Sequence, residues 1–190
     1  MRLRLAVILA CAIGAPGCSS DSPTSPSGTG TLRLMLKDTP FTDAKAVLVT
    51  FSEVTAHRST EADFTKLPFA GGATSRTCDL KKLQTAQDVL GTGPLMAGQY
   101  TQVRLVVSTA TLYFDNAASG DACAAAVEAP GGRNAPLEIP SGEVKLNRQF
   151  TVPEGGTTTM LLDFDGDRSI RLTGSNRYMM IPVIAVVSVE

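Results

Sequence analysis

The sequence predicts an all-β domain, an antiparallel β-sandwich with one or two short helices, and three observations carry that prediction. From Thr31 onward apolar residues recur at every second position, which is the period of a strand. Between those runs stand Gly71-Gly72, Gly91-Thr92-Gly93-Pro94, Pro130-Gly131-Gly132, Pro140-Ser141-Gly142 and Glu154-Gly155-Gly156, all of them turn chemistry. Helix-spaced apolar residues are sparse. Short strands joined by Gly/Pro turns point to two packed sheets, of immunoglobulin-like or transthyretin-like type.

In Thr31–Lys37 the leucines Leu32, Leu34 and Leu36 face one way, and Arg33, Met35 and Lys37 face the other. Val47, Val49 and Phe51 repeat the alternation, but Val54 and Ala56 fall on the opposite parity, so a bulge near Ser52 and Glu53 is expected. A third strand is expected around Phe64–Phe69. Asp79–Leu90 carries Leu80, Leu83, Ala86, Val89 and Leu90 at helix-like spacing, which fits a short helix or an irregular crossover; Ala122–Val127 is a weaker helix candidate. Gly98 opens a strand over Gln99–Ser108, and Ala110–Phe114 is its continuation or hairpin partner. Further strands are expected at Val144–Val152, Thr157–Phe164 and Tyr178–Val189. The last is apolar on both faces, yet Pro182 lacks an amide donor and calls for an edge or a bulge there.

Ahead of the domain, Arg2 and Arg4 precede the apolar run Leu5–Ile13 and the small residues Gly14, Ala15 and Gly17. This is the pattern of a secretion signal, too short for the roughly 20 apolar residues that span a bilayer. Ala15-Pro16-Gly17-Cys18 resembles the lipobox of bacterial lipoproteins, with Ala15 standing where a larger aliphatic residue is usual. That resemblance implies cleavage before Cys18 and its diacylation, palmitate being an expected chain, and hence a membrane anchor in the cell envelope. Ser19 in place of aspartate resembles lipoproteins sorted to the outer membrane where the cell has one. Residues 19–30, SSDSPTSPSGTG, hold no apolar side chain to offset the cost of ordering and read as a tether of roughly 19 Å root-mean-square span. The expected organisation is a signal peptide at 1–17, the lipidated cysteine and tether at 18–30, and one β-sandwich domain at 31–190.

Of the four cysteines, Cys11 leaves with the signal and Cys18 takes the lipid, so Cys78 and Cys123 remain in the domain. Export puts them in an oxidising compartment, and a Cys78–Cys123 disulfide is expected. Loss of Arg2 and Arg4 moves the formal charge from −1 to about −3. Without a basic stripe, phosphate-driven binding to nucleic acid is excluded as a function class.

One set of pieces carries a family resemblance. It comprises Gly30-Thr31-Leu32 with Leu34, Leu36, Asp38 and Pro40; Val47-Leu48-Val49-Thr50 leading to His57; and Leu95-Met96-Ala97-Gly98-Gln99-Tyr100-Thr101-Gln102-Val103-Arg104-Leu105. Ile139-Pro140-Ser141-Gly142, Leu161-Leu162-Asp163-Phe164-Asp165, Ser169-Ile170, Tyr178 and Ile181-Pro182-Val183-Ile184 complete it. In order and spacing they resemble a bacterial and archaeal lipoprotein family known as domain of unknown function 4382. The resemblance implies an all-β module on lipid-anchored envelope proteins and no accepted activity. Relatives often carry a tryptophan near Phe64, and this chain has none.

Candidate chemistry is thin. Asp163, Asp165 and Asp167 alternate at a strand end and could aim three carboxylates at one calcium ion, which takes six to eight oxygens. The EF-hand spacing fails, because Arg168 stands where glycine is needed and Gly174 where glutamate is needed; a solvated strand end followed by a turn is the preferred reading of the run. His57 is the single histidine, and a hydrolase would need a nucleophile and an orienting acid beside it. No Gly-x-Ser-x-Gly elbow is present, and nothing in the spacing selects Asp38 or Glu53 as that acid. Glu138, Glu143 and Asp115 stand beside turns, and Gly131-Gly132 lacks the lysine and helix of a phosphate cradle. Tyr100 and Tyr178 fall in strand patterns that suit core positions. The expectation is a non-enzymatic binding or scaffolding module with no cofactor, acting on an envelope protein or glycan. A calcium-binding domain is the alternative, and a hydrolase relying on His57 is the third reading.

Overall fold

The computed structural model describes residues 28–39, 41–175 and 177–190. The expected signal peptide, Cys18 and the tether as far as residue 27 lie outside the described residues. The chain begins with two long strands, β1 (Thr29–Thr39) and β2 (Ala46–Arg58), then a short β3 (Phe64–Lys66) and β4 (Arg76–Asp79). One helical turn, α1 (Leu80–Leu83), leads into β5 (Asp88–Met96), which turns at once into β6 (Gly98–Tyr113). After β7 (Cys123–Ala124) and β8 (Asn134–Glu138) come β9 (Glu143–Val152) and β10 (Thr157–Asp165). A second single-turn helix, α2 (Gly166–Ser169), precedes β11 (Ile170–Leu172), β12 (Tyr178–Met180) and β13 (Ile184–Val189).

These strands form two sheets. The smaller has the order β13-β10-β1-β5. The larger runs β11-β12-β8-β6-β2-β4-β7, with β3 added to β2 and β9 added to β6. Among the described residues the strands do not close into a barrel. The sheets are mixed rather than purely antiparallel, because β1 pairs with β10 in parallel and β12 with β8. The reason is local: the β9–β10 turn docks on the start of β1, where Gly155 N–H donates to Thr29 O and Thr31 N–H to Gly156 O. Both strands therefore leave the same pole in the same direction.

The two sheets bury a single main core. Leu32, Leu34, Leu36, Met160, Leu162 and Phe164 of the smaller sheet are fully buried together with Val49, Phe51, Ala56, Val103 and Leu105 of the larger. Each such side chain larger than alanine contributes roughly 1.5–3 kcal/mol on leaving water. Phe51 and Phe164 meet edge to face across the sheets with ring centres 6.5 Å apart. A second, smaller cluster puts Ala46 and Leu48 against Tyr113 and Ala118, so the start of β2 is covered on both faces.

The bulge expected near Ser52 and Glu53 is present, as register shifts of β2 against β6 on either side of Phe51. Gln99–Ser108 and Ala110–Phe114 prove to be one continuous strand, β6. Pro182 separates β12 from β13. Other local readings are corrected. Cys123–Ala124 pairs as a strand instead of starting a helix, whereas the short helix expected in Asp79–Leu90 is present as α1, Leu80–Leu83. Gly91-Thr92-Gly93-Pro94, turn-like by composition, is the middle of β5. There a Cβ at Gly93 would stand 2.6 Å from the Pro68 ring, and one at Gly91 3.0 Å from Pro68 O. The glycines permit that close approach, and Pro94 is tolerated because β5 is an edge strand.

Candidate functional site

The strand directions give the domain two poles. Gly28, whose carbonyl accepts from Ala97 N–H, marks one, beside the β5–β6 and β9–β10 turns. Eleven residues of β1 then carry the chain roughly 36 Å to the other. At that far pole stand the ends of β1 and β10, α1 and α2.

The three aspartates singled out in the sequence sit there and diverge. Asp163 pairs with Lys37 at 3.0 Å and accepts from the Thr39 hydroxyl. Asp165 caps α2, accepting from Arg168 N–H at 2.9 Å. Asp167 is exposed on the helix itself. Among the described residues no group of three His, Cys, Asp or Glu could hold a metal ion. The physical reason is that the strand ends at Asp165: the helical turn sends Asp167 away, and Lys37 already neutralises Asp163.

A different aspartate occupies the interior of this pole. Asp38 is 6% exposed, and its Oδ1 accepts from Gly166 N–H at 3.2 Å. Its Oδ2 has no hydrogen-bond partner among the described residues, and the same holds for the buried Nε2 of Gln84 beside it. Burial pushes the Asp38 carboxyl up to about 8, reinforced by the nearby charge of Asp163 and opposed by Gln84, Gly166 and Lys81. Asp79, 1% exposed, accepts from Val47 N–H and Lys81 N–H, both at 3.1 Å, so it caps α1 and fixes the start of β2. Burial raises its carboxyl too, with those two backbone bonds and the lysines Lys82 and Lys81 acting against the rise.

On the outer face of the larger sheet the alternation of β2, β6 and β9 presents a polar groove centred on Phe64. The Arg104 guanidinium lies 3.8 Å from the centre of the Phe64 ring, and the His57 ring is 4.8 Å from it. Arg104 also donates to Gln102 at 2.6 Å and pairs with Glu143 at 3.3 Å. Lys66 pairs with Glu53 at 2.8 Å on the groove's other side. His57 Nδ1 stands 2.9 Å from the Thr101 hydroxyl. The imidazole is thus engaged by a hydroxyl and an aromatic ring, neither of which is an orienting acid. The groove encloses about 430 Å³ among Glu53, Thr55, Phe64, Lys66, Arg104, Val106 and Glu143.

Cys78 and Cys123 form a disulfide at facing positions of β4 and β7. Arg76 and Asp88 bracket it: Arg76 donates to Cys123 O at 3.0 Å, and Asp88 accepts from Cys123 N–H at 2.9 Å.

A family model described as Domain of unknown function (DUF4382) matches residues 29–182. The chain belongs to that family. No curated protein and no solved structure matches it. The match begins at the first residue of β1 and closes at Pro182, so β13, the edge of the smaller sheet, follows the matched region. Within the DUF4382 domain the resembling pieces fall at both places just described. Asp38 and Leu161–Asp165 build the far pole, while His57 and Gln102–Leu105 build the groove. Ile139–Gly142 leads into β9, with Gly142 O accepting from Val107 N–H at 2.8 Å. Sequence reasoning singled out neither Gln84 nor the bracket of Arg76 and Asp88. Asp38 was named as a piece of the family pattern and as a possible acid for His57, but its parity with Leu32, Leu34 and Leu36 was the signal that could have marked it as buried.

Proposed function

We propose that this DUF4382 domain is a non-catalytic binding module of the cell envelope, held at a membrane by acylated Cys18 and acting through the Phe64 groove. The observation that carries the reading is the network around that ring. A half-buried aromatic side chain is fixed between Arg104 and His57 and flanked by the Lys66–Glu53 and Arg104–Glu143 pairs. Its cations and carboxylates are paired, so the groove is close to charge-balanced. Such a surface favours a hydrogen-bonding neutral or zwitterionic chain, an envelope glycan or its peptide, over a polyanion. The side chains are held in place by one another before any ligand arrives, which lowers the ordering cost of binding.

The lipobox-like Ala15-Pro16-Gly17-Cys18 supports the anchor, and β1 takes over at Thr29, so that Thr29 and Gly30, the last two residues of the Ser/Pro/Gly segment, belong to the strand. Two measurements test the two halves. Detergent partitioning of the full chain should move it to the detergent phase and C18S to the aqueous phase; equal partitioning would refute the anchor. Co-sedimentation with purified cell-wall sacculi should retain the full chain and lose the double variant F64A/R104A. Equal retention would remove the groove from the account.

A further inference from the structure

We propose that the Phe64 groove is one end of a longer binding track along β6, which takes a linear, neutral glycan chain of several sugar rings; this deepens the groove reading above and rests on it. Rows across three strands build the track. Thr55, Arg104 and Lys145 face one another across β2, β6 and β9, the next row is His57, Gln102 and Asn147, and Gln99 stands opposite Thr151 beyond it. From Arg104 to Gln99 the strand runs roughly 16 Å. Side chains connect the rows. Glu143 pairs with Arg104 at 3.3 Å, Arg104 Nε donates to Gln102 Oε1 at 2.6 Å, and Gln102 Nε2 donates to Asn147 Oδ1. Gln99 Nε2 donates to Thr151 Oγ1 at 2.8 Å. That last pair lines a second cleft, of about 330 Å³, together with Ser59, Thr60 and Glu154 among others. Two depressions thus lie in line along one strand, with the Gln102–Asn147 amide pair between them.

The strand order decides what can lie there. Here β6 is held by β2 on one side and by β9 on the other, so its main chain is engaged and an extended peptide cannot add to it as a further strand. A ligand on this face is read by side chains alone. The printed bonds leave Asn147 Nδ2, Gln99 Oε1 and the Thr151 hydroxyl hydrogen without a partner among the described residues. Amides and hydroxyls supply both donors and acceptors, as the hydroxyl and amide groups of a sugar chain do, so the two sets match without charge. The charges of the track are spent on each other. Glu143 holds Arg104 and, at 3.8 Å, Lys145, while Glu53 holds Lys66. A polyanion would have to break those pairs, and a neutral chain leaves them intact. Single contacts of this kind in water are weak, so affinity has to be gathered over several rings.

The test uses peptide-free glycan strands released from sacculi by an amidase and fractionated into long strands and single disaccharide repeats, each competing for the full chain on sacculi. Long strands should displace it at about thirtyfold lower molar concentration than the disaccharide, the worth of two or so added hydrogen bonds. In Q99A/T151A, whose two substituted side chains are exposed, that ratio should fall to about threefold or less, the advantage that repeated binding positions give by themselves. Equal displacement by both lengths overturns the track, as does an unchanged ratio in Q99A/T151A. Should glycan of neither length displace the chain while F64A/R104A still loses retention, the groove stands and the glycan track falls. Retention that F64A/R104A does not alter removes the groove, and the track with it.

Discussion

Asp38 Oδ1 accepts a hydrogen bond from the backbone amide of Gly166, joining the end of β1 to the start of α2 across 128 residues of chain. The carboxyl that makes this bond is buried and raised from 3.8 to about 8. An unfolded chain releases the Asp38 proton near 3.8 and the folded one near 8, so between those values the folded state binds more protons. Stability from this group is therefore fully present below about pH 4 and falls as pH rises toward 8. D38N is expected to match the wild type at pH 4 and to exceed it at pH 8. Urea midpoints across that range check the sign; a wild type that gains on D38N with rising pH would contradict it.

The Cys78–Cys123 bridge spans 45 residues and holds β7 against β4. Closing a loop of that length removes about 4 kcal/mol of unfolded-state entropy in the simple chain account. Reduction, or the C78A/C123A pair, is expected to lower stability by about 2–4 kcal/mol. The Arg76–Asp88 bracket keeps β7 in place in the folded form, so circular dichroism of the reduced protein at low denaturant should be unchanged. A midpoint that does not move on reduction would sink the prediction.

Gly142 leaves no room for a side chain: a Cβ there would stand 2.1 Å from Val107 O, the strand position that its own carbonyl serves through Val107 N–H. G142A must push β9 off β6 or break that pairing. A loss of about 1–3 kcal/mol is expected. G131A, where open space surrounds the added atom, is the control and should cost less than about 0.5 kcal/mol. Thermal unfolding of the two variants distinguishes them.

Arg104 ties the groove together through Phe64, Gln102 and Glu143, all at the solvent face. Because the network is half-exposed, R104A is expected to cost only about 0.5–1 kcal/mol. Its larger effect should be on retention by cell-wall sacculi. R104K keeps the charge but not the planar stacking on the Phe64 ring, and it should retain binding only in part. Unaltered binding in both variants, with folding intact, would show that the groove is not the contact surface.

Much of this architecture was written in local pattern. Leu32, Leu34 and Leu36 mark the inner face of β1, the parity change between Phe51 and Val54 marks the bulge, and Cys78 and Cys123, the two cysteines beyond the lipobox-like segment, marked their own partnership. These are short-range signals: side-chain alternation along a strand has period two whatever the strand pairs with. The parallel pairing of β1 with β10 was not legible, because it depends on Gly155 and Gly156 docking on Thr29 and Thr31 from the far end of the chain. Nor was the strand character of Gly91–Pro94, where contact with Pro68 overrides turn-like composition. The same division runs through the candidate sites. Local sequence drew attention to Asp163, Asp165 and Asp167, which the turn into α2 disperses. It was the packing of α1 and α2 over β1 that removed Asp38 from water, and burial, a property no residue has until its neighbours arrive, is what separates a solvated aspartate from one that holds its proton.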